Sequence, residues 1–197
     1  MKKLLARQAS ATIPTRLGHF EMIAFAASPD ELMPHLALVA ENFDPKNGPV
    51  PVRIHSECLT GDIFGSRRCD CGEQLAVSLK MVAESGGILI YLRQEGRGIG
   101  LINKLRAYNL QDAGLNTADA NTHLGFEVDA RQYGAAVAIL ESLGIESIRL
   151  ITNNPEKVAA LKRSGIEIAG RIPLVIEPNS DNRDYLLVKK ELMGHFL

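Results

Sequence analysis

Several features of exported and membrane proteins are missing from this sequence. No apolar run approaches the roughly 20 residues that a helix needs to span a bilayer. Near the N-terminus, Arg7 and Gln8 interrupt the stretch that could otherwise form the core of a signal peptide. Cysteine is scarce: the chain has three, an odd and clustered set that makes a poor disulfide framework and fits a reducing compartment. We therefore expect a cytoplasmic protein with no membrane partner.

An excess of one sign of charge is also lacking. The 22 basic and 23 acidic residues give a formal net charge of −1, which offers no broad signal for a nucleic-acid partner. The sequence has no internal repeat, no low-complexity segment and no linker long enough to separate independent domains. The prediction is a single domain over 1–197, with an N-terminal lobe at 1–47 and a larger part at 48–197.

From Gly48 onward, the sequence alternates short β-branched runs with helical patterns. Strands are predicted at 50–57, 87–95 and 147–154. Helices are predicted at 72–87, 98–114, 130–145, 154–166 and 181–196, the last preceded by the apolar segment 172–178. This alternation predicts an α/β fold, with a mixed sheet flanked by helices. Three strand-like segments at 11–15, 18–26 and 35–41 add a β-rich N-terminal part.

Two of the predicted helices carry specific local signals. In the helix at 98–114, Leu101, Leu105 and Tyr108 are spaced to share one apolar face. In the helix at 154–166, Asn154 is a suitable N-cap and Pro155 occupies the first helical position. These signals predict which face of the first helix is buried and where the second begins.

All three cysteines fall within fourteen consecutive positions. Cys58, Cys69 and Cys71 have the spacing C-x10-C-x-C. Thiolates are favoured ligands for zinc, and three protein ligands with one open position are typical of a catalytic site. Two alternatives stay open on spacing alone: structural thiols without a metal, or a four-ligand structural site completed by His55 or His123.

Glycines and basic residues cluster in the segment 93–100, RQEGRGIG, between a predicted strand and a predicted helix. Its glycines let the backbone approach an anion, although a tight turn with a solvated arginine is an equal alternative. The neighbouring basic residues favour the anion. Those expected at the same end of the predicted elements, where they would suit a polyphosphate, are Arg53, Arg67, Arg68, Arg97 and Lys104.

Two further segments carry candidate polar groups. Thr152 and Lys157 surround the start of a predicted helix and could bind phosphate there, or could be a capped turn with an exposed lysine. Asp129 precedes another predicted helix, either as an N-cap or as a carboxylate beside Arg131 that accepts a proton or orients water. Tyr108 is a candidate as well, with simple core packing as the alternative.

Taken in order, six motifs resemble GTP cyclohydrolase II of riboflavin synthesis. They are HSECLTGD, RCDCG, RQEGRGIGL, the KLRAY-x-LQD-x-G run, LGF-x-x-D-x-R-x-Y and LxTNNPxK. The likeness begins at about Arg53 and extends to the C-terminal MGH. It implies hydrolysis of GTP at two places, with the imidazole ring opened and C8 released as formate, and pyrophosphate released from the triphosphate. The implied product is 2,5-diamino-6-(5-phosphoribosylamino)pyrimidin-4(3H)-one.

The resemblance also implies roles for individual residues. Cys58, Cys69 and Cys71 would hold one zinc ion per subunit, whose bound water attacks C8. Asp129 would be the proton acceptor, Arg131 the group acting on the α phosphate, and Tyr108 a hydrogen-bond partner at the ring. An arginine nucleophile is chemically awkward because a guanidinium has no free lone pair, so electrostatic stabilisation is the preferred interpretation.

Substrate contacts, cofactors and assembly follow from the same likeness. GTP is the small-molecule substrate, with Mg²⁺ on its pyrophosphate, and the subunit is expected to form a homodimer. The residues expected to bind GTP are Arg53, Ile54, His55, Ser56, Glu57, Gln74, Glu95, Gly96, Arg97, Thr117, Thr152 and Lys157.

Two narrower functions are alternatives on the same scaffold. One is an enzyme that stops at the formamide or hydrolyses only phosphate. The other is a zinc-containing nucleotide-binding regulator without turnover. Asp129, Arg131 and Tyr108 argue against the regulator, because a binding module has no need of acid-base groups beside a metal.

Overall fold

A computed structural model describes residues 5–127, 129–191, 194 and 196. In this part of the chain, seven strands form one sheet in the order β1-β2-β3-β5-β4-β6-β7. The strands are β1 (Ala6–Thr15), β2 (Gly18–Ala26), β3 (His35–Ala40), β4 (Val50–Ser56), β5 (Ile88–Leu92), β6 (Ser147–Ile151) and β7 (Glu167–Ile172). The predicted mixed sheet and β-rich N-terminal part are confirmed.

Strand direction divides the sheet into two halves. β1, β2, β3 and β5 pair antiparallel, whereas β5, β4, β6 and β7 run parallel. The carboxyl ends of β4, β5 and β6 therefore meet at one edge of the sheet, where α/β folds place ligands. The strand β7 was not predicted, because its short alternating sequence contains a glycine and buries no residue fully.

Helices connect the parallel strands and cover the sheet. They are α1 (Leu59–Asp62), α2 (Cys71–Ser85), α3 (Gly100–Asp112), α4 (Thr117–His123), α5 (Gly134–Ser142), α6 (Pro155–Arg163) and α7 (Arg183–Glu191). The predicted N-cap is confirmed, since the Asn154 side chain accepts a hydrogen bond from the Glu156 N–H at 2.8 Å. α1 and α4 were not predicted. None of the helices described is long and apolar enough to cross a membrane.

The buried side chains of β4 alternate between two layers. Val52 and Ile54 pack into the main apolar core, together with residues of α5. Arg53 and His55 are also buried, and strand alternation turns them to the opposite face, the one that α2 covers. Near its carboxyl end, this second face therefore carries polar groups.

The predicted apolar face of α3 is wrong. Lys104 and Ala107 are its buried residues, whereas Leu105 is 47% exposed. Leu101 and Tyr108 are only partly buried. α3 directs Lys104 into the interior because this ammonium has polar partners there, which a count of apolar residues does not reveal.

Candidate active site

A cavity of about 1050 Å³, counted with its opening to solvent, lies at the carboxyl ends of β4, β5 and β6. All the predicted site residues line it except Ile54 and Asp129. Those that line it are Arg53, His55, Ser56, Glu57, Cys58, Cys69, Cys71, Gln74, Glu95, Gly96, Arg97, Tyr108, Thr117, Arg131, Thr152 and Lys157. The topology thus brings residues from seven separate stretches of the chain to one place.

The three thiols converge at one end of this cavity. Cys58 precedes α1, and Cys71 is the first residue of α2, with Cys69 two positions earlier. Their sulfur atoms lie within 4.8 Å of one another, with Cys58 Sγ and Cys69 Sγ 3.6 Å apart. Two sulfurs on a tetrahedral zinc, each about 2.3 Å from the ion, are about 3.8 Å apart. The donor set and its spacing therefore fit zinc.

Of the two histidines considered as a fourth ligand, neither joins this group within the described residues. His55 Nε2 instead donates to the Asp62 carboxylate, at 3.0 and 3.1 Å from its two oxygens. The same carboxylate accepts from the Cys58 N–H at 2.9 Å and from the Tyr91 hydroxyl at 2.8 Å. Burial lowers the pKa of His55 despite the hydrogen bond to Asp62, so the imidazole is neutral at neutral pH. Because it accepts the hydrogen bond from the Cys58 N–H, the Asp62 carboxylate fixes the backbone at Cys58.

Lys104 reaches the thiols from α3. Its Nζ donates to Cys58 Sγ at 3.1 Å and to Glu95 Oε1 at 2.9 Å. Burial acts to lower the pKa of Lys104, but the negative charge of Cys58 and the hydrogen bond to Glu95 outweigh it and raise the pKa. Hydrogen bonds with Cys69 and Cys71, helped by the charge of Lys104, lower the pKa of Cys58. Cys58 is therefore the thiol most readily ionised.

A buried chain of polar groups lies on the second face of β4. Arg53 Nη2 donates to Gln74 Oε1 at 2.6 Å, and Gln74 Nε2 donates to Asp70 Oδ2 at 2.5 Å. Arg53 also donates to the Ile151 carbonyl at 3.2 Å. Burial lowers the pKa of Arg53 to about 10, so the guanidinium is still charged at neutral pH. Gln74 is thus oriented from both sides.

Asp129 and Arg131 form a pair beside the cavity. The Asp129 carboxylate accepts from Arg131 Nε at 2.8 Å, from its backbone N–H at 3.1 Å and from Nη2. Burial opposes ionisation of Asp129, but the hydrogen bonds and charge of Arg131 outweigh it and lower its pKa. The N-cap alternative is wrong, because Tyr133 occupies that position in α5. Arg131 lines the cavity, and its ion pair with Asp129 fixes the position of its guanidinium.

The loop between β6 and α6 also lines the cavity. Lys157 is buried, and its Nζ donates to the Ile54 carbonyl at 2.7 Å. Thr152 Oγ1 accepts from the Asn154 N–H at 3.0 Å. The alternative of a capped turn is therefore right about Asn154, but wrong about the lysine, which is not exposed. Ile54 contributes its carbonyl oxygen rather than a cavity-lining side chain.

The predicted basic cluster is only partly assembled. Arg53, Arg97 and Lys104 line the cavity. Arg67 instead pairs with Asp181, and Arg68 pairs with Asp112 while its guanidinium lies 4.9 Å from the centre of the Tyr108 ring. Neither arginine lines the cavity, so neither adds its charge to the cavity wall.

Comparison with known proteins decides which family has this site. The sequence model of GTP cyclohydrolase II matches residues 6–173. The chain belongs to the GTP cyclohydrolase II family. A GTP cyclohydrolase-2 of Neisseria meningitidis is 50% identical over 198 residues, covering 100% of this chain and 99% of that protein. The resemblance given by the six motifs is confirmed, and this is a family of riboflavin biosynthesis.

Longer proteins of riboflavin biosynthesis are equally similar. The riboflavin biosynthesis protein RibBA of Chlorobium phaeovibrioides is 50% identical over 99% of this chain and 47% of that protein. This chain spans about half the length of the RibBA proteins it matches. The structure of RibBX, a two-domain 3,4-dihydroxy-2-butanone 4-phosphate synthase from A. baumannii, aligns with a TM-score of 0.46 and 23% identity over 89% of this chain and 41% of that one.

Sequence reasoning missed three residues of this candidate site. Lys104 was noted only as one basic residue among several, although its spacing of four from Tyr108 puts both on one side of α3. Asp62 belongs to the HSECLTGD motif but was given no role. Tyr91 pairs with His55 in the β4–β5 register, which no sequence pattern specifies. The other unpredicted cavity residues are Ile99, Ala107, Gln111, Asn121, Asn153, Asn154 and Leu174.

Proposed function

We propose that this chain catalyses zinc-dependent hydrolysis of GTP, the first step of riboflavin biosynthesis. The imidazole ring is opened, C8 leaves as formate and pyrophosphate is released. The product is 2,5-diamino-6-(5-phosphoribosylamino)pyrimidin-4(3H)-one. One observation carries the proposal: three thiols with zinc-ligand spacing face a cavity whose other walls are basic, in a member of this family.

At the thiol end, the residues hold a metal and orient the ring. Cys58, Cys69 and Cys71 would ligate zinc, which lowers the pKa of bound water toward about 7 and so supplies a nucleophile at neutral pH. Tyr108 lies on the same side of the cavity. Burial raises the pKa of Tyr108 to about 12, so its hydroxyl keeps its proton and can donate a hydrogen bond to the ring.

At the basic end, the residues suit a triphosphate. Arg97 and Lys157 supply charge, and Thr152 lies just before the positive end of α6. The guanidinium of Arg131 would stabilise negative charge developing on the α phosphate, since it has no lone pair for attack. Mg²⁺ is proposed to accompany the pyrophosphate and would offset part of its negative charge. The role of Asp129 as proton acceptor stays a prediction, and its contacts support a role in orienting Arg131.

The remaining predicted contacts would bind the guanosine. The Gln74 amide is oriented by the hydrogen bond that it accepts from the buried Arg53 guanidinium. His55 Nδ1 has no hydrogen-bond partner among the described residues, so a neutral imidazole could accept a hydrogen bond from the substrate. Ser56, Glu57 and Thr117 line the cavity and are retained as proposed contacts.

The homodimer rests on the family likeness alone, whereas the cytoplasmic location and the single domain rest on the composition of the sequence. We propose a homodimer acting in the cytoplasm, with 1–197 as one domain. Light scattering of the purified chain would measure the oligomer, and a mass of one subunit would contradict this part of the proposal.

Product analysis tests the reaction. We expect formate and pyrophosphate from GTP, with the diaminopyrimidine detected by mass spectrometry after a single turnover. An accumulated formamide, or phosphate cleavage alone, would identify the narrower enzyme. GTP binding without any product would identify the regulator and overturn the proposal.

A further inference from the structure

The ammonium of Lys104 lies in an unusual environment for a lysine. The residue is 8% exposed and its Nζ contacts Cys58 Sγ at 3.1 Å and Glu95 Oε1 at 2.9 Å. It also lies 5.8 Å from the centre of the Tyr108 ring. Burying a lysine side chain is costly unless its charge is paired, so these contacts indicate that Lys104 has a specific task at this position.

Glu95 holds that ammonium in place. Its Oε2 accepts from the Leu59 N–H at 2.6 Å, and its Oε1 accepts from the Gly96 N–H at 2.7 Å as well as from Lys104. Both carboxylate oxygens are thus engaged by the protein. Glu95 therefore joins the start of α1, which follows Cys58, to the glycine-rich loop and to α3.

The negative charges at this point outnumber the positive charges that a zinc ion would supply. Three ionised thiols and Glu95 would carry four negative charges, whereas a zinc ion supplies two positive ones. In a buried site such an excess is poorly screened, so removing one more positive charge is expensive. Lys104 supplies that charge by direct contact with a ligand sulfur.

We propose that Lys104 is a positioning residue for the metal, its ammonium hydrogen-bonding the Cys58 sulfur while Glu95 holds it there. The contact lowers the free energy of bringing three thiolates together. It also draws electron density from one sulfur and leaves the bound ion more electrophilic. The inference rests on the zinc dependence proposed above and adds a function for Lys104 that no motif assigns.

The test measures the metal in the absence of GTP. Zinc affinity is determined by competition with a chromogenic chelator for wild type, Lys104→Met, Lys104→Gln and Lys104→Arg. Partners that hold a metal ligand in place typically contribute about 10–100-fold to metal affinity, so we expect a loss of that size for the two neutral variants. Lys104→Arg, which keeps the charge, should recover most of the affinity. Lys80 is an exposed lysine on α2 that pairs with Glu84, and Lys80→Met should match wild type.

A spectroscopic measurement separates this role from a general packing effect. Cobalt(II) replaces zinc and the sulfur-to-cobalt charge-transfer absorption is recorded. Loss of the hydrogen bond to Cys58 Sγ should move this band to longer wavelength in the Met and Gln variants and leave it nearly in place in the Arg variant. Circular dichroism checks that each variant is folded.

Each outcome decides the matter. Wild-type zinc affinity and an unchanged cobalt band in both neutral variants would overturn the proposal, even if GTP turnover fell, because Lys104 would then act on the substrate. If the wild-type protein itself bound no zinc, the proposed function would fail and this role with it. Weaker affinity with a shifted band only in the neutral variants would support it.

Discussion

Gly61 lies against the thiol cluster with no room for a side chain. A β carbon built on this residue would lie 2.9 Å from Cys69 Sγ, 3.3 Å from Cys58 Sγ and 3.2 Å from Cys71 Cβ. Comfortable contacts between such atoms are about 3.5–4.0 Å, so Gly61→Ala requires displacements of roughly half an ångström or more. The backbone of Gly61 lies outside the left-handed region, so the predicted effect is purely one of packing.

The magnitude follows from that overlap. Overpacking of a buried site costs about 1–3 kcal/mol. A metal site tolerates displacements of only about 0.2 Å in its ligand distances, so most of this cost should fall on the metal-bound state. We therefore expect Gly61→Ala to weaken zinc binding by roughly 5–150-fold, which is that free energy converted at about 1.4 kcal/mol per tenfold.

The assay compares two glycine-to-alanine variants. Gly134 is the first residue of α5, its φ is not positive, and a β carbon there meets nothing within 4 Å. Zinc affinity by chelator competition should fall for Gly61→Ala and stay at the wild-type value for Gly134→Ala. Equal affinities for Gly61→Ala and wild type would refute the packing around the thiols on which the zinc assignment depends.

Two further predictions concern groups that hold the site and the sheet. Asp62→Asn replaces a carboxylate that accepts three hydrogen bonds, leaving at least one buried donor unsatisfied at about 1–3 kcal/mol. Urea unfolding should show this loss for Asp62→Asn, and an effect as small as that of the exposed Asp30→Asn would contradict it. Burial and the charge of Arg93 lower the pKa of His35, whose Nδ1 accepts a hydrogen bond from the Arg93 N–H. The stability that neutral His35 contributes is therefore present above its ordinary pKa of 6.5 and is lost as the pH falls below that value. His35→Asn, which can still accept that hydrogen bond, should lose less stability than wild type between pH 7.5 and 5.5, and an equal loss would show that His35 is not responsible.

The topology was predictable wherever the chain alternates clear strands with capped helices. Ser56, Leu92 and Ile151 end β4, β5 and β6, three of the four parallel strands, and every loop singled out from the sequence follows one of them or lies against it. Parallel strands connected by helices bring such loops together whatever their details, because their carboxyl ends share one edge. The meeting of the cysteines with the basic loops could therefore be expected from sequence.

The sequence does not show which way the polar side chains point at that edge of the sheet. Lys104 lies on a helix whose leucines suggested a different buried face, and its burial depends on Cys58 and Glu95 from distant segments. Tyr91 and Asp62 meet His55 only through the pairing register of β4 and the short helix α1. These contacts depend on tertiary geometry, which a one-dimensional pattern of apolar residues does not encode.

We propose that release of C8 of GTP requires one metal ion on Cys58, Cys69 and Cys71. Titrating zinc into metal-free protein while formate release is followed measures this requirement. We expect formate release to rise in proportion to added zinc and to stop rising at one ion per chain, and we expect Cys69→Ser to produce none at any zinc concentration. Undiminished formate release by metal-free protein would contradict it.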